Sequence, residues 1–392
     1  MAVKRILYTA FDVVPSPKGS STHITAFLHG LAMAGLDVDL LTPGDAGLPR
    51  RDRYAGATLI RVPLDPSESM LRRALRFDAA VAEHLAQQRY DLVHFRSLWG
   101  GLAPSRARDQ YGYRTLFEVN GLPSIELKYH YPALADGSAD SAALLARIRA
   151  QERELLQASD LVICPSAVTA TFLSSLGAAS ERLLVIPNGA EPCPTPMQPT
   201  RSVTMPTALY IGTLADWQGL GTLLAALPFV LAERPLKLRI VGAGRSRQYR
   251  ALLKQADRLG VAEAVSIEDP VPPAAVPALI ADADLCLAPL APNDRNVTQG
   301  CCPIKLIEYM ACARPIVAAN LPVVRELLRE GEDGLLFAPG DPRDMARAML
   351  TMLDSPNLAA RMADSAARRV AAHLTWDHAR TRLLAAYARL GV

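Results

Sequence analysis

Two runs of alternating β-rich and helix-patterned segments, separated by one proline-rich stretch, constrain this chain more than any other feature. In the first run, Arg5–Thr9 is a short β-rich segment, followed by the turn formers of VPSPKGSS. From Thr22 onward, apolar residues recur at Ile24, Phe27, Leu28, Leu31 and Ala32, a helical period that Gly35 ends, and Val38–Leu41 reads as the next strand. Further strands are expected at 91–95, 115–119, 160–166 and 183–189. The rhythm stops at 190–207, where the segment EPCPTPMQPTRSVTMP carries five prolines and suits an exposed linker. A second series then begins with strands at 207–212, 236–244, 265–268, 284–290, 315–320 and 334–340 and helices through 219–233 and 246–259. Strands alternating with helices predict parallel sheets covered on both faces. The expected architecture is α/β with two Rossmann-like lobes, 1–195 joined by a final helix 375–392, and 196–374. Such lobes place ligands at the carboxyl ends of their strands.

Composition removes several classes. A chain of 392 residues, 50% hydrophobic and 21% charged, can bury large cores without staples and is not a disordered protein. A net charge of +3 gives no bulk argument for nucleic acid. The six cysteines, at 164, 193, 286, 301, 302 and 312, show no CxxC or zinc-site spacing, so no zinc site is expected. No apolar run approaches the ~20 residues of a membrane span, and the first residues lack a signal-peptide pattern, so a cytoplasmic location is expected. Charge is uneven, however: residues 50–114 hold twelve Arg and no Lys against seven acids, a local +5. Within it, Leu71-Arg72-Arg73-Ala74-Leu75-Arg76-Phe77 reads as a helix with an apolar face at Leu71, Ala74 and Leu75. Its arginine face can rest on anionic lipid at the inner face of a membrane, though an ordinary surface helix is the preferred reading.

Three segments carry chemistry. Pro17-Lys18-Gly19-Ser20-Ser21-Thr22 opens the first helix, where free amides attract phosphate, although a plain turn explains it equally well. Val241-Gly242-Ala243-Gly244-Arg245 follows a strand and sets a cation at the lip of a glycine loop, but it lacks the third glycine of a dinucleotide fingerprint, which disfavours a dehydrogenase. Pro303-Ile304-Lys305-Leu306-Ile307-Glu308 turns from loop into helix, with proline expected at the first helical position and an acid one to two turns in. A glutamate there can accept bonds from two vicinal ribose hydroxyls while the opening amides face a phosphate.

The segment IKLIEYMACARPIVAANLPVVRELLREGEDGLLFAPGDP resembles the donor-binding signature of retaining GT-B glycosyltransferases of family 4. The resemblance extends to VVPSPKGSSTHI, VIPNGAE, LYIGTLADWQGL and VGAGRS, and to a final helix from Trp376 to Tyr387. It implies transfer, without a metal or any cofactor, of a sugar from a nucleoside diphosphate that is itself a substrate, UDP by default with GDP and ADP open, to an acceptor hydroxyl of a glycan, lipid-linked or small molecule. The anomeric configuration is kept, and lobe closure excludes water. Glu308 is then expected to bind the donor ribose, and the amides near Cys302 and Ile304 to serve sugar and phosphates. Gly19 and Ser20 approach the diphosphate, as do the loops of Gly212 and Thr213 and of Gly242 and Gly244. Asn188, Gly189 and Glu191 line the crevice.

Several positions depart from the family pattern. Gly300 stands where a second glutamate is common, which moves sugar contacts to Thr298, Gln299 or main chain. Gln218 takes the place of a lysine in the loop after the first strand of the second lobe, and that loop holds no arginine. Lys305 and Arg245 become the candidate cations for the leaving diphosphate. Asn120 replaces a frequent histidine beside the donor sugar, so it can hydrogen-bond but not titrate. Lys305, Arg245 and Asn120 are the candidate catalytic groups. Asp12 and Glu118 lie near strand ends and could touch the acceptor, although surface placement is the commoner fate. His94 is as well read as structural as functional, His23 leans towards the crevice, Arg96 towards solvent and Trp217 towards a structural role. Cys301 and Cys302 read as small residues permitting close approach. The rival readings are an idle paralogue serving as a scaffold, motivated by Gly300 and Gln218, and a sugar-nucleotide epimerase or phosphorylase of the same plan. A periplasmic-type ligand binder is set aside because the export pattern is missing.

Overall fold

A computed structural model describes residues 4–44, 47–193 and 205–392. The middle of the expected linker, 194–204, lies outside the described residues. The chain divides into two compact units. The first comprises the described residues of Met1–Ser16, Ser20–Pro187 and Ala379–Val392; the second comprises those of Pro17–Gly19 and Asn188–His378.

The sheet of the first unit contains β1 (Arg5–Ala10), β2 (Asp37–Gly44), β3 (Arg51–Tyr54), β4 (Ala57–Pro63), β5 (Leu92–Arg96), β6 (Arg114–Glu118), β7 (Leu161–Cys164) and β8 (Leu183–Val185). Their order is β3-β4-β2-β1-β5-β6-β7-β8, and only the β3–β4 pair is antiparallel. The β3–β4 hairpin escapes the sequence reading because its two-residue turn is Ala55-Gly56, both with positive φ (50° and 86°), instead of a recognisable Asn-Gly. On one face Phe95, Phe117, Leu155, Leu156 and Val162 form a core; on the other, Leu7, Phe77, Val81 and Val93 do. The arginine-rich segment lies in the helix Met70–Gln87, whose buried stripe is Ala74, Phe77, Val81 and Leu85. Leu75, expected on the apolar face, is instead 71% exposed among the arginines, because the helical stripe continues through Phe77 and not through Leu75.

The sheet of the second unit contains β9 (Thr207–Ile211), β10 (Lys237–Val241), β11 (Val265–Glu268), β12 (Leu285–Ala288), β13 (Ile316–Ala319) and β14 (Leu335–Phe337). The order β11-β10-β9-β12-β13-β14 is wholly parallel, the doubly wound arrangement that reverses direction beside its first strand. The loops after β9 and β12 therefore meet at the switch point. In the first unit the corresponding loops follow β1 and β5.

A close backbone approach ties the two ends of the second unit together. Ala190 N–H donates to Leu374 O at 3.0 Å, and Trp376 N–H donates to Ala190 O at 3.3 Å. A Cβ on Gly189 would fall 2.4 Å from the Trp376 nitrogen and 2.5 Å from the Thr375 carbonyl carbon. Main chain cannot yield as a side-chain tip can. Gly189→Ala should therefore lower stability by about 1–3 kcal/mol, read as a fall in the thermal unfolding midpoint; an unchanged midpoint would show that the two segments can separate freely.

Candidate active site

In the second unit, the helix Ile304–Ala311 starts one residue later than the sequence suggests: Pro303 occupies its cap and not its first turn. Of its opening amides, Leu306 N–H donates to Pro303 O at 3.1 Å, while those of the first two residues precede any intrahelical partner. Lys305 lies in the first turn and is buried, with 9% exposure. Its Nζ donates to Gln218 Oε1 at 2.6 Å and sits 3.9 Å from the centre of the Tyr210 ring. An added Cβ at Gly212 would come within 2.7 Å of that Nζ, so the ammonium lies directly under the loop after β9. Burial pushes Lys305 well below the usual lysine range and the field of Arg295 adds to this, against the opposing pull of Cys301 and Glu308. Glu308, one turn on and half-buried, is pushed up to about 7 by burial, against the field of Lys305.

The two glycine loops are stacked on each other. Leu214 N–H donates to Ala243 O at 2.9 Å, and a Cβ on Gly242 would lie 1.7 Å from Gly212 O. Gly244 likewise leaves room for Leu214, 2.8 Å from where its Cβ would stand. Gln218 Nε2 points back to Thr213 Oγ1 at 3.5 Å. The neighbouring loop adds a cation that the sequence reading passed over. Arg295 lies 5.0 Å over the Trp217 ring and donates to Asn296 Oδ1 at 2.9 Å, while Asn296 Nδ2 bonds Trp217 O and Ala291 O, each at 2.8 Å. The loop after β9, which lacks an arginine of its own, thus receives one from the loop after β12. Asn188, buried, donates from Nδ2 to Cys302 O at 2.7 Å and fixes the chain entering the Lys305 helix. Burial pushes the Cys302 thiol up to about 12, so it packs as a neutral group.

In the first unit, strand register gathers polar groups on one face of an otherwise apolar sheet. Tyr8 pairs with His94 across β1 and β5, and Arg96 pairs with Glu118 across β5 and β6. Alternation along β5 puts His94 and Arg96 on the same side. The carboxylate of Glu118, 2% exposed, is the centre. Tyr8 OH donates to Oε2 at 2.5 Å, and His94 Nε2 lies 3.0 Å from the same oxygen. His23 Nε2 and Arg96 Nε lie 2.9 Å and 3.0 Å from Oε1, which also accepts from Asn120 Nδ2. Arg96 continues to Asp12 Oδ2 at 2.9 Å, and His94 Nδ1 meets Tyr387 OH at 2.9 Å. Burial opposes ionisation of Glu118, yet His23, His94 and Arg96 outweigh it and hold the carboxyl well below the usual range. Burial lowers His94 in turn, which suits a neutral ring between an acceptor and a phenol. Burial also works against the charge of Arg96, but Asp12 and Glu118 outweigh it and keep the guanidinium a cation.

Comparison with known proteins gives this geometry a family. Residues 18–189 match the family described as "Glycosyl transferase 4-like domain", and residues 205–355 match "Glycosyl transferases group 1". The chain belongs to these glycosyltransferases. It is 26% identical over 396 residues to a D-inositol 3-phosphate glycosyltransferase of Acidothermus cellulolyticus, covering 94% of this chain and 85% of that one. It is 25% identical over 409 residues to a glycogen synthase of Mycobacterium tuberculosis, covering 98% and 94%. Sucrose-phosphate synthase of Thermosynechococcus elongatus shares its fold with a TM-score of 0.82 at 20% identity, over 99% of each chain. Anabaena HepE, solved with UDP and glucose, does so with a TM-score of 0.76 at 17% identity, over 98% of this chain and 100% of that one.

Of the residues singled out in sequence, the enzyme brings Gly212, Thr213, Gln218, Gly242, Gly244, Ile304, Lys305 and Glu308 into one neighbourhood of the second unit, with Asn188 and Cys302 supporting it. Arg245 is exposed at the start of the helix Ser246–Arg258. Thr298 is exposed and Gln299 fully buried in one π-helical turn, Arg295–Gln299. Gly19 and Ser20 open the helix Gly19–Met33, and Ser21 Oγ accepts from Ser16 N–H at 2.9 Å to close the preceding loop. Two expectations are corrected. Glu118 is not a surface acid and Arg96 is not solvated, while His23, expected towards the crevice, is buried with its ring 4.1 Å from that of Phe27. The reason is that β5 runs one residue further than expected, to Arg96, which enrols it in the sheet beside Glu118. Among the described residues, no group of three or more His, Cys, Asp or Glu side chains is arranged to hold a metal ion, and no helix is long and apolar enough to cross a membrane.

The desolvated amine gives a sharp expectation. A buried lysine whose folded pKa is depressed contributes stability above its unfolded pKa and loses it as pH falls through the folded value. At pH 7 the wild type therefore carries a burial cost that Glu308, Cys301 and the Gln218 oxygen offset only in part. Lys305→Met, which keeps the stem and removes that amine, should be no less stable than wild type at pH 7 by thermal unfolding; marked destabilisation would mean that the ammonium is a structural tie.

Proposed function

We propose that the enzyme is a retaining glycosyltransferase whose second unit holds a nucleoside diphosphate sugar, UDP-linked by default, and whose acceptor presents a hydroxyl. The observation that carries this is Lys305: a buried amine under a glycine loop, in direct contact with a neutral amide and a ring, with the Glu308 carboxylate acting on it only through its field. Such a group gains from an arriving anion what burial removed from it. The diphosphate lies over the Gly212 and Gly242 loops and the start of the Lys305 helix, with Arg245 and Arg295 as further cations. Glu308 takes the two ribose hydroxyls. The amides around Cys302 and Ile304 serve the sugar.

In the reaction, the acceptor oxygen attacks the anomeric carbon on the face from which the diphosphate departs. The bond between that carbon and the phosphate oxygen breaks, and a phosphate oxygen takes the acceptor's proton. Glu118 fits poorly as a base, because two hydrogen bonds and the close nitrogens of His23, His94 and Arg96 already surround it and hold it ionised. Asn120 cannot titrate. A protein base is therefore not needed for the route, and the cations that stabilise the leaving group carry the rate. The relatives' names and the nucleotide in the HepE complex support the donor class.

The test is thermal shift with UDP, GDP, ADP and their glucose derivatives, followed by product analysis with the donor that stabilises. No stabilisation by any nucleotide would sink the reading. Lys305→Met should lower kcat about 100-fold or more, the scale of losing one preorganised charge partner. Glu308→Gln should raise the donor KM about 10-fold to 100-fold, as for a bond to a charged acceptor. Because ribose hydroxyls need the ionised carboxylate and Glu308 titrates at about 7, the wild-type KM should climb as pH falls below 7; a KM that stays flat from pH 8 to pH 6 would remove Glu308 from the ribose.

A further inference from the structure

Asn120 stands two residues past Glu118, just beyond the end of β6 and half-buried at the carboxyl edge of the first sheet. A primary amide is nearly symmetric in shape but opposite in polarity at its two ends, one donating twice and the other accepting. What decides its orientation is the neighbour it must face. Here that neighbour is a carboxylate, and Asn120 Nδ2 donates to Glu118 Oε1. A carboxylate that is ionised can only accept, so the inward end of the amide has to be the NH2.

We propose that Glu118 is a positioning residue that locks the Asn120 amide with its NH2 towards the carboxylate and its carbonyl oxygen away from it, making this position at the carboxyl edge of the first sheet an acceptor for a hydroxyl. The rest of the cluster is what makes the lock rigid. Tyr8, His94 and Arg96 hold the carboxylate from the sheet, and His23 holds it from the helix Gly19–Met33. Arg96 and His94 are themselves held by Asp12 and by Tyr387. The carboxylate can therefore neither swing away nor give up its charge to let the amide turn over. A free asparagine could offer either end to a ligand; this one offers an acceptor, which suits a hydroxyl or N–H and disfavours a carboxylate or phosphate. That the incoming group is a sugar hydroxyl rests on the proposed transferase reading, whereas the locked amide stands on the geometry of the first unit alone.

The experiment uses the full chain in two parts. With nitrogen-15 in asparagine, the Asn120 side-chain amide signals, assigned by their loss in Asn120→Asp, should exchange slowly with water and move in Glu118→Gln. Signals exchanging as fast as those of a surface asparagine would overturn the proposal, with no need for activity. The second part is a cycle in kcat/KM for transfer from the donor that stabilises the protein. Asn120→Asp sets two carboxylates against each other and should lose about 100-fold. Glu118→Gln combined with Asn120→Asp restores a donor facing an acceptor and should regain at least 10-fold over Asn120→Asp alone. If the double variant folds, by circular dichroism, yet is no better than Asn120→Asp, Glu118 is merely structural. A wild type that transfers no sugar would count against the functional reading, while the amide exchange would still decide the lock.

Discussion

A charge taken out of water has to be answered by something else, and the two units answer in opposite ways. In the first, the Glu118 carboxylate is surrounded by a phenol, two imidazoles, a guanidinium and an amide, and its charge is held in place. In the second, the Lys305 ammonium meets one neutral amide oxygen and the face of a tyrosine, and burial presses it towards losing its proton. The first arrangement is complete and therefore rigid. The second has no charged partner in direct contact with the ammonium, which is the opening the proposed donor diphosphate would fill.

The departures from the family pattern become intelligible in the same terms. Gln218 replaces a cation, but its carbonyl oxygen is what holds the Lys305 ammonium beneath the Gly212 loop. The loop that lacks arginine is approached by Arg295, which stacks on its Trp217. Positive charge has been moved from one loop to its neighbours, not removed. The stacked glycines carry a second lesson. Gly242 and Gly244 are explained by the packing of one loop upon another, so their presence alone does not argue for a ligand.

The double βα rhythm, the break between the halves and the Lys305 helix were readable because hydrophobic period and turn residues are local signals. Thus the strand at 265–268 and the helices near 219–233 and 246–259 lie where periodicity placed them, to within a residue or so. The β3–β4 hairpin was not readable, since an Ala-Gly turn carries little local preference for positive φ. The Glu118 cluster was missed for a different reason. Its members come from three strands and two helices, and only register brings them together. A faint signal did exist: His94 and Arg96, like Glu118 and Asn120, alternate within runs otherwise made of apolar residues, which marks a polar patch on a buried sheet face.

The last helix, Trp376–Arg389, supplies Tyr387 to His94, and its Arg380 lies across Gly30 and donates to Ala26 O at 3.1 Å. The first unit is thus built from segments on either side of the second, so its polar face stays without Tyr387 until the intervening residues have been translated. During that interval the half-built sheet exposes buried-type groups to solvent and to other chains. The contact that ends it spans 293 positions in sequence, which makes assembly of this unit a long-range event despite its local βα pattern.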